Sequence, residues 1–435
     1  MELNNKKVIN AWGMYDWANS VYNLVITSTI FPVYYNSVTK AISNNDIISF
    51  FGFEITNTVL YSYSLSFSFL LIALLSPLLS GIADYSGKKK QFMMFFTYLG
   101  GVSCISLFFF KGENVEFGII CSVLASIGYS GALVFYNAFL PEIASNEKAD
   151  IVSARGYAMG YIGSVILLII NLVMLSKPSM FGFSDEGQAA RASFIMVGVW
   201  WIGFAQIPFY FLPENIYRKN PKGQYIKKGY QELKKVWHSL KELKVLQRFL
   251  ISFFFYSTGV QTIMLMAATF GNIELNLPGD QLILIVLIIQ VVAIFGSYFF
   301  AKLSQLRGNI FSLSVLVFVW ILICIAAYFI QNVYQFFALA FIVGLVMGGI
   351  QALSRSTYSK IIPDNAIAHA SYFSFYDVLE KFSIVLGTFS YGLIQQLTGS
   401  MRTSPLFLAL FFVAGMCFLF LVKIPKSQDQ VKINA

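Results

Sequence analysis

The 435-residue sequence predicts an all-α polytopic membrane protein with twelve transmembrane helices in two six-helix bundles. Three observations predict it. The composition is 57% hydrophobic and only 12% charged, whereas a soluble domain carries about 25% charged residues. So few charges cannot cover a water-facing surface of this size. The 44 phenylalanines and a mean hydropathy of +0.68 likewise exclude a disordered chain. Second, the apolar residues gather into twelve segments, approximately 12–35, 58–80, 91–110, 117–140, 154–175, 191–212, 248–270, 281–301, 310–330, 333–354, 370–396 and 404–423. Each is near the ~20 residues a helix needs to cross a bilayer.

Third, the basic residues alternate from side to side. Of the 30 lysines and arginines, 24 lie in the N-terminal tail, the even-numbered connections and the C-terminal tail. The odd-numbered connections hold only Lys40, Lys111, Lys177, Arg191 and Arg402, and Lys381 lies within a span. Cytoplasmic loops attract positive charge, so both termini are expected in the cytoplasm and the number of spans must be even. The asymmetry also accounts for the net charge of +9, and no nucleic-acid partner is needed to explain it. A reporter fused after Ala435 is expected on the cytoplasmic side, and one inserted at Asn44 outside. Finding both on one side would contradict the twelve-span topology.

Along the chain, 12–35 reads as a retained helix rather than a secretory signal, because Asp16 interrupts it and no small-residue cleavage site is present. Asp16, Asn19, Ser20, Asn23 and Thr27 are spaced to share one face of an α-helix. Such a stripe either lines a water-accessible cavity or bonds to a neighbouring helix. Asp16 is thus either a cavity carboxylate able to carry a coupling proton or half of a buried ion pair near the cytoplasmic mouth.

The segments 58–80, 91–110, 191–212, 281–301, 310–330 and 404–423 qualify on apolar length. The span 117–140 offers Tyr129 and Asn137 and stops at Pro141-Glu142. In 154–175, Gly156-x-x-x-Gly160-x-x-Gly163-Ser164 reads as a packing stripe of small residues. The polar connection 213–247 separates an N-terminal bundle, 1–212, from a C-terminal one, 248–435. Within it Leu233, Val236, Trp237, Leu240 and Leu243 recur at helical spacing among lysines. That pattern predicts an amphipathic helix on the inner leaflet, or else a tether packed on the bundle.

The span 248–270 presents Tyr256, Gln261 and Thr262. In 333–354, Gly344 and Gly348 suit close packing and Gln351 suits solute contact. Arg355 follows at the cytoplasmic end, where a snorkelling charge is the simpler reading. The span 370–396 holds Asp377, Glu380 and Lys381 within five residues. Charges there cost at least ~2.5 kcal/mol each at the bilayer centre. Asp377 and Lys381, four apart, can pair. Glu380 is then in excess and needs a proton, water, or a partner such as Arg355 or Arg155. The trio is either a structural ion pair or a cavity group that exchanges partners.

An internal repeat supports the two halves. Tyr136-Asn-Ala-Phe-Leu-Pro141-Glu142 and Tyr358-Ser-Lys-Ile-Ile-Pro363-Asp364 match at an offset of 222. Ser80-Gly-Ile-Ala-Asp84-Tyr-Ser-Gly87-Lys88-Lys89 has a degraded counterpart in Ala301-Lys-Leu-Ser-Gln305-Leu-Arg-Gly308-Asn309. Parallel repeats of this kind are related by an axis along the membrane normal.

These residues carry a family resemblance. The Asp84–Lys89 signature after the second of twelve helices resembles the major facilitator superfamily, with Ser80 and Tyr85 departing from its usual Gly and Arg. Tyr15-Asp16-Trp17-Ala18-Asn19-Ser20, the Tyr136–Glu142 run, Gly259-Val-Gln261-Thr262, Gln351-Ala-Leu-Ser-Arg355-Ser356 and Phe375-Tyr-Asp-Val-Leu-Glu-Lys381 resemble its "unknown major facilitator" branch, which contains the fungal vacuolar amino-acid effluxers. The resemblance implies a secondary transporter working by alternating access, with helices 1, 4, 7 and 10 around a cavity. On that reading the cavity residues are Asp16, Asn19, Asn23, Thr27, Gln261, Gln351, Asp377, Glu380 and Lys381. The gating residues are Asp84, Gly87, Lys88 and Arg355. Asp84 gains by facing the N-terminus of another helix, and helix 11 begins on its side.

The expected partners are a small polar solute such as an amino acid, protons as coupling ion, and the lipid of a bacterial inner membrane. A lipid-handling, flippase-like protein is the alternative, marked by an apolar and laterally open cavity. No cofactor, nucleotide motif, metal site or reactive cluster of an enzyme is legible. The only two histidines, His238 and His369, are far apart in sequence. The four cysteines, Cys104, Cys121, Cys324 and Cys417, fall in apolar runs as packing residues.

Overall fold

The computed structural model describes residues 2–41, 46–214, 223–363 and 366–423. Asn44, Asp364, Ala435 and residues 215–222 of the linker lie outside these. All twelve expected segments are helical. Among the described residues, ten helices are long and apolar enough to cross a membrane. They are Asn57–Ser86 (helix 2), Lys89–Ser106 with a short 3-10 turn (3), Val115–Asn137 (4), Ala149–Ser176 (5), Glu186–Phe211 (6), Lys244–Leu275 (7), Gly279–Arg307 (8), Asn309–Phe329 (9), Val333–Ile361 (10) and Thr403–Phe420 (12). Helix 11, His369–Thr398, carries the charged trio. Helix 1 runs from Lys6 to Lys40 in three pieces, with Tyr22–Ile30 wound as a π-helix between two α-helical stretches. Together these make the twelve-helix, six-plus-six architecture.

Helices 5 and 8 and helices 2 and 11 pack across the boundary between the bundles. Small residues set the close approaches. A side chain at Gly344 or Gly348 would run into the backbone of Ile289 or Ala293 on helix 8, which bears out the packing reading of that stripe. The start of helix 1, the end of helix 12 and the described parts of the even-numbered connections gather at one end of the molecule, here the basic end. There Asn4 N donates to Ile143 O at 2.8 Å, and Arg248 to Leu421 O at 3.0 Å.

Two features differ from expectation. The connection between helices 1 and 2 forms an antiparallel hairpin, β1 (Ile47–Phe50) with β2 (Phe53–Thr56). Its two turn residues, Phe51 and Gly52, both have positive φ, as a tight two-residue hairpin requires. The amphipathic helix forms at Tyr225–Glu242, but its apolar edge packs on protein. Gly229 lies against Gly81 and Ile82 of helix 2, Val236 and Leu240 are buried, and the Ser239 and Tyr372 hydroxyls share a hydrogen bond of 2.9 Å. This helix therefore touches both bundles at the basic end.

Candidate functional site

Four acidic groups hold the bundles together at the basic end. Asp16 and Arg355 are both almost fully buried, at 4% and 1% exposure. One oxygen of Asp16, Oδ2, accepts from Arg355 at 3.1 and 3.2 Å and from the Tyr136 hydroxyl at 2.7 Å. Arg355 also donates to the Ser153 hydroxyl (3.0 Å), the Ser153 carbonyl (2.8 Å) and Asn137 Oδ1 (3.3 Å). Its guanidinium lies 4.1 Å from the centre of the Tyr157 ring and 4.7 Å from that of Trp12, within the range of a cation–π attraction. One arginine of helix 10 thus binds helices 1, 4 and 5 of the other bundle. The planar fork of donors suits this, where lysine would act as a point charge.

Asp84 ends helix 2 and faces the first turn of helix 11. Its carboxylate accepts from Ala370 N (3.2 Å), Ser371 N (2.7 Å) and Ser371 Oγ (2.6 Å). This caps N–H groups that the helix itself leaves unbonded. Gly87, in the left-handed conformation at φ 70°, closes helix 2 and lets the chain turn. In the other half, Ser304 near the end of helix 8 donates to Asp150 at the start of helix 5 (2.9 Å). Asp150 also takes Lys360 (2.6 Å) and Asn309 (2.8 Å). The two repeat halves therefore use the same device, the end of an even helix gripping the start of a helix in the opposite bundle. Glu142 completes the set between Lys89 and His369, the latter at 3.0 Å.

Toward the middle of the molecule lies a small, partly open cavity lined by Tyr157, Tyr256, Gln261, Gln351, Tyr376 and Glu380 among others. Tyr161 donates to Gln351 Oε1 at 2.6 Å, and Gln261 donates to Glu380 Oε1 at 2.8 Å. Asp377 and Lys381 meet at 3.4 Å, and Lys381 lies 3.7 Å from Glu380. Lys381 Nζ stands 5.7 Å from the Phe69 ring of helix 2, so the trio also reaches the bundle boundary. Two carboxylates share one ammonium, and the Glu380 side chain is the most exposed of the three at 25%.

Several expected residues sit elsewhere. Asp16, Asp377 and Lys381 are not among the residues lining this cavity: Arg355 and Tyr136 hold Asp16 at the basic end, and Asp377 and Lys381 pair with each other toward Phe69 of helix 2. Arg355 does not snorkel, and it is not the partner of Glu380. Asn19 is buried with its amide nitrogen unpartnered among the described residues, whereas Asn23 is exposed and Thr27 half-buried. The shared face assumed an α-helical turn. The π-helical stretch beginning at Tyr22 widens the turn, so the α-helical spacing assumed for Thr27 does not hold beyond Val21. Lys88 points outward. Its neighbour Lys89 is buried instead, bonded to Glu142 and to Ala138 O at 3.2 Å. Sequence reasoning missed Lys89, Tyr161, Asp150, Ser153 and Lys360 as linking residues. The glycine stripe of helix 5 packs on helix 1 as expected, and at Gly156 it also makes room for chemistry. A side chain there would strike both Asp16 and Arg355. Gly156→Ala is expected to cost about 1–3 kcal/mol through overpacking, read as a lower melting temperature together with lost transport.

A model of the family described as "Vacuole effluxer Atg22 like" matches residues 4–432. The chain belongs to this family. Among Atg22-like relatives, the uncharacterized MFS-type transporter YxiO of Bacillus subtilis (strain 168) is 33% identical over 97% of this chain and 96% of its own. Autophagy-related protein 22 of Eremothecium gossypii is 24% identical over 93% of this chain and 88% of its own. The crystal structure of the Escherichia coli fucose:proton symporter FucP superposes with a TM-score of 0.70 at 13% identity, covering 97% and 98% of the two chains. That of the human organic anion transporter MFSD10 gives 0.69 at 10% identity, over 95% and 99%. This Atg22-like protein is therefore an integral membrane protein of the major facilitator superfamily, whose relatives are transporters rather than enzymes.

Proposed function

We propose that the protein is a secondary-active transporter that moves a small polar solute by alternating access. The single observation that carries this is the buried Asp16–Arg355 pair, which joins the two bundles at the basic end, with a polar cavity nearer the middle of the molecule. A charge pair across a moving boundary can be made in one conformation and released in another, which is the bistable element that alternating access needs. The 24 basic residues in the tails and even-numbered connections of the sequence support a cytoplasmic location for that end and for both termini, in a bacterial inner membrane. The boundaries 1–212, 213–247 and 248–435 serve as two moving bodies and a linker.

Gln261, Gln351 and Glu380, with the tyrosines around them, form the solute site. Glu380 is the coupling carboxylate on this reading, because it lines the cavity, whereas Arg355 and Tyr136 enclose Asp16 away from it. Glu380→Gln should therefore abolish accumulation driven by a pH gradient while sparing solute exchange. The hydrogen-bonding groups of this cavity suit a polar solute, and a second, apolar cavity in the C-terminal bundle, lined by Ile263, Met266, Phe270, Ile289 and Val343, keeps the flippase-like alternative as the rival to be tested.

The test is metabolite-resolved flux in proteoliposomes with and without a pH gradient. The reading predicts gradient-dependent accumulation of at least one small polar solute. Movement of labelled phospholipid without any solute flux would replace it with the lipid-handling alternative.

A further inference from the structure

The linker helix carries three strips along its length. The first, with Gly229, Val236 and Leu240, is buried against the transmembrane helices. Beside it stand Ile226, Tyr230 and Trp237, exposed by 69, 59 and 49%. Trp237 also touches Phe375 of helix 11, their rings 5.6 Å apart. Next around the helix come Lys227, Lys234 and Lys241, each seven residues from the last and all exposed. Seven residues is close to two turns, so the three lysines form a row alongside the aromatic strip. Lys241 Nζ lies 5.3 Å over the Trp237 ring. No acid of this helix falls in that row. Glu232 lies toward the buried edge and takes Lys235 at 2.9 Å, and Glu242 lies on the opposite flank.

An exposed aliphatic–aromatic strip bordered by lysines is the arrangement that sits at a membrane interface, rings at headgroup depth and ammoniums on phosphates. This helix packs on the ends of helices 2 and 11, where the spans leave the bilayer. We propose that the Ile226–Tyr230–Trp237 strip and the Lys227–Lys234–Lys241 row bind anionic phospholipid headgroups, and that this binding favours the conformation with the basic end closed. The second half follows from the clamp. The helix is seated on helix 2 of one bundle through Gly229 and Gly81, and on helix 11 of the other through Ser239–Tyr372 and Trp237–Phe375. A lipid surface that holds the helix in place holds both bundles beneath it. The coupling rests on the alternating-access reading above; the lipid binding does not.

The full-length protein is reconstituted in nanodiscs of phosphatidylcholine, with and without phosphatidylglycerol, and retained lipid is quantified by native mass spectrometry. In parallel, spin labels on Lys148→Cys and Leu306→Cys, exposed positions on opposite bundles at the basic end, report the distance between bundles. The wild type should retain phosphatidylglycerol in preference to phosphatidylcholine. The triple variant K227Q/K234Q/K241Q should lower that preference at least about tenfold, since each lysine near an anionic surface contributes severalfold. An unchanged melting temperature of this variant in phosphatidylcholine alone checks its fold. Phosphatidylglycerol should enlarge the short-distance population in the wild type and leave the variant unmoved. A wild type with no preference, or a variant that keeps it, overturns the site. A preference that leaves the wild-type distances unchanged overturns the coupling. Distances that ignore both lipid and Arg355→Met place the failure in the alternating-access reading instead.

Discussion

Arg355→Met should unbalance the two conformations more than any other single change. Removing one partner of a buried ion pair leaves the other charge uncompensated, at about 3–5 kcal/mol. Here the orphan is Asp16, left with the Tyr136 hydroxyl alone. The pair forms only where the bundles meet, so the loss falls on the closed conformation. The closed-to-open ratio should drop on the order of a hundredfold or more. A second change separates gating from folding. Asp16→Leu combined with Arg355→Met removes both charges, and such replacements are often neutral or stabilising. The double variant should regain the melting temperature lost in the single one. Arg355→Lys should fall between, because one ammonium cannot bond Asp16, Ser153 and Asn137 together. Thermal unfolding in detergent reads all three variants, and an unaltered melting temperature for Arg355→Met would deny the pair its structural weight.

The second large effect concerns helix 11. Lys381→Met should destabilise the protein strongly, because Asp377 and Glu380 then face each other without a cation in a largely buried setting. Asp377 is already poorly served: its Oδ2 has no hydrogen-bond partner among the described residues. Adding Asp377→Leu to Lys381→Met removes the pair as a unit and leaves Glu380 bonded to Gln261. If the pair only fixes helix 11 to its neighbours, the double variant should be both stable and active. The transporter reading expects it to be stable and inactive, because Lys381 stands beside the excess carboxylate and reaches toward helix 2. Solute flux in proteoliposomes decides between them, and normal transport by the double variant would refute the functional role.

Much of this was legible in the sequence. The twelve spans followed from apolar length. The repeat around Asp84 and Pro141 pointed to the two ends where opposite bundles grip each other, and Asp84 does cap helix 11. The Asp377–Lys381 pair followed from helical spacing. What failed has identifiable physical causes. Periodicity presumes a uniform α-helical turn, whereas helix 1 is π-helical over Tyr22–Ile30. In the run Lys88-Lys89-Lys90 all three residues look alike, yet the geometry after Gly87 leaves Lys88 exposed and turns Lys89 and Lys90 inward. Asp16 and Arg355 are 339 residues apart, and nothing local to either reveals the other. Asp16 was open to reading as half of a buried ion pair, but only the packing of helices 1, 5 and 10 supplied Arg355 as its partner. The linker helix was found by its amphipathic pattern, but that pattern does not say whether protein or lipid covers the apolar edge.

The most direct test of the central claim is the distance between the bundles at the basic end. Labels on Lys148→Cys and Leu306→Cys are measured by pulsed electron–electron resonance in a Cys417→Ser background, since Cys417 is the exposed native cysteine. The account predicts two populations in the wild type, a short one belonging to the closed end and a longer one, with the longer dominant in Arg355→Met. A single distance that Arg355→Met does not alter would contradict it.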